Sequence, residues 1–182
     1  MLIDFSYLFN KYNIEVTGVI HIGAHYGQEA QAYWDQAVRR AVFIEAFRPT
    51  YKILCRNMAK FQNFICINAC ITDKDGEIVN FNVSNNEGQS SSILDFDTHS
   101  VQHPTVKMQS KTRLQTATLK RIFKEREIEA FDYNFVNIDI QGAELMALKG
   151  MDLSFIDYAY IEINEEHLYK ECPLVGEIDE YL

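Results

Sequence analysis

Two glycines and an acid follow the first two apolar runs of this chain, at a spacing that is typical of a ligand site. Gly23 and Gly27 come after the run that begins at Thr17, and Glu45 ends the next run, 22 residues after Gly23. A glycine turn between a strand and a helix lets the backbone approach a ligand closely. An acid about 20 residues further on is placed to meet a ribose diol. The combination predicts a ribose-containing ligand, whereas the glycines alone are equally explained by close strand-helix packing.

The glycine turn does not match a dinucleotide fold. The pyrophosphate fingerprint G-x-G-x-x-G needs glycine where this chain has His25 and Gln28. A ligand with a ribose and no phosphate needs fewer glycines, and S-adenosylmethionine is the commonest cofactor of that description. Its sulfonium cation also suits carboxylates better than Lys or Arg. An NAD-dependent oxidoreductase is therefore the less favoured alternative.

Three further acids follow the last two apolar runs. Methyl transfer is an in-line displacement, in which an acceptor oxygen is held behind the methyl group and loses its proton. Asp139 is the candidate base, and Glu162, at the end of the following run, is a candidate second acid. Glu144 is the third candidate catalytic acid, but it falls in the first turn of a predicted helix, where the dipole alone would favour an acid.

We predict no resident metal. Asp139, Glu162 and Asn164 all carry oxygen ligands, so a divalent ion is an alternative, but no histidine-carboxylate spacing makes such a site specific. Pro104 argues against a helix at His99 and His103, which we interpret as loop histidines rather than ligands.

The composition restricts the function classes. The chain has 182 residues, 17 Lys plus Arg against 26 Asp plus Glu, and a net charge of -9. This length fits one domain, residues 1–182, and the acidic balance argues against nucleic-acid binding. No apolar run approaches the roughly 20 residues of a membrane helix, and the first residues lack the basic start of a signal peptide. We expect a cytoplasmic protein without a membrane span.

The order of the apolar runs predicts the fold class. Strand-like runs alternate with segments of helical spacing, which is typical of an α/β Rossmann-like, doubly wound, mostly parallel sheet with helices on both faces. The near-continuous apolar run 64–71 predicts a strand buried on both faces. Alternating residues predict an inserted β-hairpin near 77–113, with a long polar loop over 84–105. We also predict an N-terminal helix or arm over 1–16 and a helix that begins near Asn164 or Glu165.

The chain resembles the FkbM family of S-adenosylmethionine-dependent methyltransferases from about Gly18 to its end. The most specific segment has the pattern D-x-x-G-A-E-x-x-x-L-K-G, which methyltransferases with generic turns do not usually show. The segments that carry the resemblance are 19–28, 43–46, 87–94, 137–145 and 148–150.

The resemblance implies a role for each turn. The methionine part of the cofactor would be held by the turn of Gly23, Ala24, His25 and Gly27. Glu45, with Ala46 beside it, would bind the ribose. Ala69, with its neighbours Asn68 and Cys70, would lie near the adenine. The transfer site would be faced by Asp139, Gln141 and Glu144, and Ser90–Ser92 would lie near the acceptor or cover the cofactor. The implied acceptor is a hydroxyl on a small molecule, a glycan or a lipid-like compound, with selectivity in the loop 84–105.

The chain departs from the family pattern at His21, where many members have an acid. A neutral imidazole can hydrogen-bond the amino-acid end of the cofactor, and a core histidine satisfied by backbone is the equal alternative.

The resemblance also ends before the last two strands of a full methyltransferase sheet. We therefore expect a truncated or shortened chain, in which an exposed edge at the fifth strand favours a homodimer. A cofactor-binding module without transfer activity is the alternative from another class.

Overall fold

Five of the apolar runs enter a single parallel sheet in the computed structural model, which describes residues 4–182. Its order is β3-β2-β1-β7-β8, so β2 and β3 lie on one side of β1, and β7 and β8 lie on the other. The order therefore reverses between β1 and β7, where sheets of this kind bind ligands. The strands are β1 (Val19–Ile22), β2 (Ala41–Glu45), β3 (Phe64–Asn68), β4 (Cys70–Ile71), β5 (Ile78–Ser84), β6 (Met108–Ala117), β7 (Phe135–Ile138) and β8 (Tyr158–Ile161).

Helices cover both faces of this sheet, as the alternation of runs predicts. Successive strand residues point to opposite faces, so Ile20 packs on one side and Val19 on the other. The first face is covered by α5, α6 and α7, and the second by α1, α2 and α3. The helices are α1 (Phe5–Tyr12), α2 (Ala30–Asp35), α3 (Arg48–Met58), α4 (His99–Gln102), α5 (Leu119–Glu125), α6 (Glu144–Lys149) and α7 (Val175–Tyr181). The doubly wound α/β prediction is confirmed.

The predicted hairpin is present as well. β5 and β6 pair antiparallel, with an irregularity between Val83 and Ser84, and β4 adds to β6 in parallel. These three strands form a second, smaller sheet beside the main one. α1 lies within the segment predicted as an N-terminal helix or arm, of which residues 1–3 lie outside the described residues.

The prediction for residues 64–71 is wrong in one respect. The run is divided at Ala69 into β3 and β4, which belong to different sheets. β3 is an edge strand, and Ile65 on it is 41% exposed rather than buried on both sides. Continuous apolarity did not distinguish a central strand from an edge strand followed by a change of sheet.

Two predictions about the irregular segments are also wrong. No helix begins near Asn164, because residues 164–174 are held by bridges that pair Asn164 with Leu174 and Phe96 with Tyr169. The loop that follows β5 contains the single turn α4, which starts at His99. Pro104 restricts the residue before it, so it does not prevent a turn that ends at Gln102. No helix within residues 4–182 is long and apolar enough to cross a membrane.

Candidate active site

A cavity of about 540 Å³ opens at the carboxyl ends of β1, β2 and β7, at the reversal of strand order. Its size is typical of a small-molecule site. Three of the predicted site residues, Gly27, Asn68 and Glu144, do not line it. Those that do are His21, Gly23, Ala24, His25, Glu45, Ala46, Ala69, Asp139, Gln141 and Glu162.

Glu45 is buried at the end of β2 and connects two turns. Its Oε2 accepts from the backbone N–H of His25 at 3.0 Å, and its Oε1 accepts from that of Phe47 at 2.7 Å. Each carboxylate oxygen has a second lone pair, so both oxygens can still accept from neighbouring hydroxyls of a ligand. Burial raises the pKa of Glu45 to about 7, although the backbone donors oppose that change. A ligand with a vicinal diol would find an acceptor here.

The two glycines of the first turn have mainly packing roles. Gly23 has a φ of +86°, and a Cβ there would collide with the carbonyl oxygen of Asp139 in the adjacent turn. Gly27 has a φ of +75°, and a Cβ there would press on Leu54 and Met58 of α3. Gly23 lines the cavity, where it lies against the turn of Asp139, whereas Gly27 packs against α3 and does not line the cavity.

His21 is held by a side-chain relay in the core. The amide of Asn137 donates to the hydroxyl oxygen of Tyr33 at 2.7 Å, which leaves the Tyr33 proton for Nδ1 of His21 at 3.4 Å. Burial lowers the pKa of His21, so the ring is neutral at pH 7. Its partner is a side chain, which differs from the backbone-satisfied histidine that the sequence left as one alternative. The relay leaves Nε2 as the ring nitrogen available to a ligand.

Gln141 joins the two candidate acids of the site. Its Nε2 donates to Asp139 Oδ1 at 2.7 Å and to Glu162 Oε2 at 2.8 Å. Glu162 is an exposed residue at the rim, yet its carboxyl lies against Asp139, and that contact raises the pKa of Glu162 to about 8. Glu162 is therefore largely protonated near neutral pH, and its carboxyl shares that proton with Asp139 in a hydrogen bond.

Glu144 supports the turn rather than the cavity. It is 3% exposed, and its Oε1 accepts from the backbone N–H groups of Ile140 and Gly142, at 3.2 and 3.0 Å. Burial raises the pKa of Glu144 to about 7. These bonds hold the turn in which Gln141 and Gly142 have φ values of +57° and +100°.

Asn68 likewise works from outside the cavity. Its side-chain amide donates to the carbonyls of Glu45 and Ala46, at 2.8 and 2.9 Å. It thereby ties the end of β3 to the turn after β2. Ala69, the next residue, reaches the cavity wall.

The opposite wall comes from the inserted segments, which the sequence identified only in part. Ser90 and Ser91 line the cavity as part of the predicted acceptor stretch, whereas Ser92 donates to the carbonyl of Gln141 at 2.8 Å. His25 Nε2 lies 2.9 Å from the carbonyl of Glu87 and so joins this wall to the first turn. Lining residues that the sequence reasoning missed are Phe81, Asn86, Ile93, Val106 and Leu168, together with His99 and His103, which were interpreted as plain loop histidines.

The charges on the cavity wall have one sign. Within residues 4–182 the charged lining side chains are Glu29, Glu45, Asp139 and Glu162, with neither Lys nor Arg among them. Such a wall favours a cationic or neutral ligand over a phosphorylated one. No group of three or more His, Cys, Asp or Glu side chains in this part of the chain is arranged to hold a metal ion.

Comparison with known proteins agrees with this geometry. The family model described as the Methyltransferase FkbM domain matches residues 21–182, which includes the whole cavity wall. No curated protein and no solved structure matched the chain. Because the family model covers most of the sequence, from the middle of β1 onward, this protein belongs to the FkbM family and is a methyltransferase.

Proposed function

We propose that this methyltransferase takes its methyl group from S-adenosylmethionine and transfers it to a hydroxyl oxygen of a small-molecule or glycan acceptor. The observation that carries the proposal is Glu45, which keeps a free lone pair on each carboxylate oxygen at the position expected for a ribose diol. The cavity wall supports it, because a sulfonium cation is stabilised by a site whose charged residues are all acids.

The remaining cofactor contacts follow from the turns around Glu45. The turn of Gly23, Ala24 and His25 would hold the methionine part, and the available Nε2 of His21 would donate to its carboxylate. Ala69, with Ile71 beside it on the wall, would provide the apolar surface for the adenine. When bound, the cofactor supplies an electrophilic methyl group. The side chains of Glu45 and His21 are each held by hydrogen bonds within the chain, so little reorganisation is needed on binding.

Asp139 is the proposed base. When an acceptor hydroxyl takes the methyl group that the bound cofactor would supply, the Asp139 carboxylate would accept the hydroxyl proton, and the demethylated cofactor would leave as a neutral thioether. Contact with Asp139 raises the pKa of Glu162 to about 8, so Glu162 is the member of the pair that holds a proton near neutral pH. Glu144 acts through the turn, as a positioning residue rather than a reacting acid.

The wall formed by the inserted segments 81–106 and 164–168, called the inserted wall below, favours an uncharged acceptor. Phe81, Ile93, Val106 and Leu168 offer apolar surface, and the nearby His99 is kept neutral because burial lowers its pKa. A phosphorylated acceptor would find no cationic side chain on the described wall, and the charges that the wall does carry are negative. We therefore expect a neutral hydroxylated molecule with an apolar face.

A thermal melt with S-adenosylmethionine, and with its demethylated product, tests the cofactor directly. A ligand at 100 times its dissociation constant adds about 2.7 kcal/mol to the free energy of unfolding. For a domain of this size, the midpoint should rise by roughly 5–10 °C. NADH at the same concentration is the control and should give no rise. A rise with NADH alone, or none with millimolar S-adenosylmethionine, would contradict the proposal.

A further inference from the structure

Tyr169 makes a short hydrogen bond at the edge of the carboxyl pair. It lies in the irregular segment 164–174 and is 1% exposed. Its hydroxyl is 2.6 Å from Gln141 Oε1 and 3.3 Å from the carbonyl oxygen of Ser90. Both of these atoms are acceptors and the hydroxyl has one proton, so the shorter contact, to Gln141, takes it.

This bond determines how the amide of Gln141 is turned. Because Oε1 accepts from Tyr169, the two N–H groups of Nε2 face Asp139 at 2.7 Å and Glu162 at 2.8 Å. The opposite orientation would place a carbonyl oxygen against two carboxyls and an amide against the Tyr169 hydroxyl. The hydroxyl therefore selects the orientation in which the amide donates to both acids.

The backbone around Gln141 is fixed by hydrogen bonds of its own, independently of the side-chain amide. Its carbonyl accepts from Ser92, and the backbone N–H groups on either side of it donate to Glu144. Tyr169 is itself held against the rings of Phe96 and His99, with 5.5 Å between ring centroids in each pair. The Tyr169 hydroxyl thus connects the inserted segments to the Gln141 amide, and through that amide to Asp139 and Glu162.

We propose that Tyr169 is a positioning residue for methyl transfer, which acts through Gln141 to hold Asp139 and Glu162 as a pair that shares one proton. The role in transfer rests on the proposed function, whereas the effect on the pair is a property of the chain alone. Other titratable groups also face the pair. They are Glu45 at the end of β2, Glu144 at the start of α6 and the neutral His21 on β1.

A carbon-13 titration of the side-chain carboxyls in the full chain measures the pair without any acceptor. Donation by Gln141 lowers the pKa of Glu162, so loss of the Tyr169 hydroxyl should raise it. In Tyr169→Phe, the upper titration step should move upward by about 1 pH unit from its wild-type position. Glu162→Gln identifies that step, because the variant should lack it.

Tyr133→Phe is the matched control. Tyr133 is also buried, but it precedes β7, at the opposite end of that strand from Asp139, so removal of its hydroxyl should leave the titration unchanged. Gln141→Met is the second variant, since it removes the amide itself and should move the step in the same direction. A shift in Gln141→Met without one in Tyr169→Phe would overturn the role of Tyr169. An equal shift in Tyr133→Phe would do the same, because the effect would then be a general one of core tyrosines.

Cofactor binding separates this inference from the proposed function. Tyr169→Phe should keep the thermal shift with S-adenosylmethionine, since Tyr169 is not on the cavity wall. If the wild type shows no such shift, the proposed function fails, while the titration still decides whether Tyr169 positions the pair. A variant that loses both the shift and the folded spectrum would assign Tyr169 a purely structural role and overturn the proposal.

Discussion

The two walls of the cavity are built by different interactions. The sheet wall consists of the turns after β1, β2 and β7, where Glu45 and Glu144 each accept two backbone N–H groups. The inserted wall consists of residues 81–106 and 164–168, where neutral side chains bond to one another or to backbone groups of the loop. Charge-assisted bonds to buried carboxylates are stronger than neutral bonds between loop side chains. The sheet wall is therefore the rigid one.

The inserted wall depends on a small polar cluster under its loop. Ser84 Oγ lies 2.6 Å from Asn86 Oδ1, 3.1 Å from the backbone nitrogen of Ser90 and 3.3 Å from Ser91 Oγ. Each such bond contributes only about 0.5–1.5 kcal/mol net. This difference suits a methyltransferase, since the chemistry needs fixed atoms while the acceptor must enter and leave. The contrast between the two walls can be tested by substitutions in each wall and by pH.

Asp139→Asn should have the largest effect, and it should fall on one step only. Without the base, methyl transfer to the acceptor that the wild type modifies should slow by about 10²–10⁴-fold. The dissociation constant of S-adenosylmethionine should change by less than about threefold, because the ribose acceptor at Glu45 is untouched. Radiometric methyl transfer and calorimetry measure the two quantities. Asp179→Asn, on the exposed face of α7, is the control, and full activity in Asp139→Asn would exclude Asp139 as the base.

Glu45→Ala should abolish cofactor binding rather than the chemical step. The variant loses an acceptor for both ribose hydroxyls, so the dissociation constant should rise by at least about 100-fold. It also frees the N–H groups of His25 and Phe47, which should lower the melting midpoint by a few degrees. Melts with and without S-adenosylmethionine measure both effects. Glu180→Ala, an exposed residue on α7, should keep the ligand-induced rise, and a rise retained in Glu45→Ala would place the ribose elsewhere.

The sheet wall could be predicted from the sequence because local patterns define it. Apolar runs located β1, β2 and β7, and the residue after each run falls at the carboxyl edge of a parallel sheet. That logic led to Glu45 and Asp139 at the cavity. It did not show that Glu144 faces backbone N–H groups, since helix-start chemistry and catalysis call for the same residue type at that position.

Most of the inserted wall could not be predicted, because contacts distant in sequence define it. Tyr169 reaches Gln141 through a segment without periodicity, which a bridge to Phe96 holds in place. His99 lies on a helix of four residues, too short for a periodic signal. The change of sheet at Ala69 depends on the pairing of Cys70 with Thr116 in β6, which no pattern within residues 64–71 encodes.

The buried carboxyls of the sheet wall should make the ligand-free protein less stable at alkaline pH. Burial raises the pKa of Glu45 and of Glu144 to about 7, above the ordinary value of about 4.3 in the unfolded chain. The folded state therefore binds more protons between these values, and the stability it gains is lost as the pH rises through 7. His21 acts in the opposite sense but only below about pH 6.5, because its pKa is lowered.

Melts between pH 6.5 and 8.5 follow these two carboxyls together with Glu162, whose pKa is raised to about 8. The two buried acids alone should cost about 2 kcal/mol over that range, which lowers the midpoint by roughly 4–8 °C. Measured in a Glu162→Gln background, Glu144→Gln should remove about half of the fall, since one of the two remaining acids no longer titrates. A midpoint that stays constant between pH 6.5 and 8.5 would mean that these carboxyls are already ionised in the folded state, and the sheet wall would then carry more charge than the structure indicates.

Ser84→Ala should have the smallest effect, and it should appear only on the acceptor side. The substitution removes the hydroxyl that joins Asn86, Ser90 and Ser91, which should loosen the loop by about 1–2 kcal/mol. The KM of the acceptor should rise by about 3–10-fold, while the dissociation constant of S-adenosylmethionine stays unchanged, because no backbone bond to Glu45 is altered. Ser110→Ala, an exposed serine on β6, is the matched control. Equal losses of acceptor and cofactor affinity would mean that the two walls move as one body, and the contrast between a rigid wall for chemistry and an adjustable wall for recognition would fail.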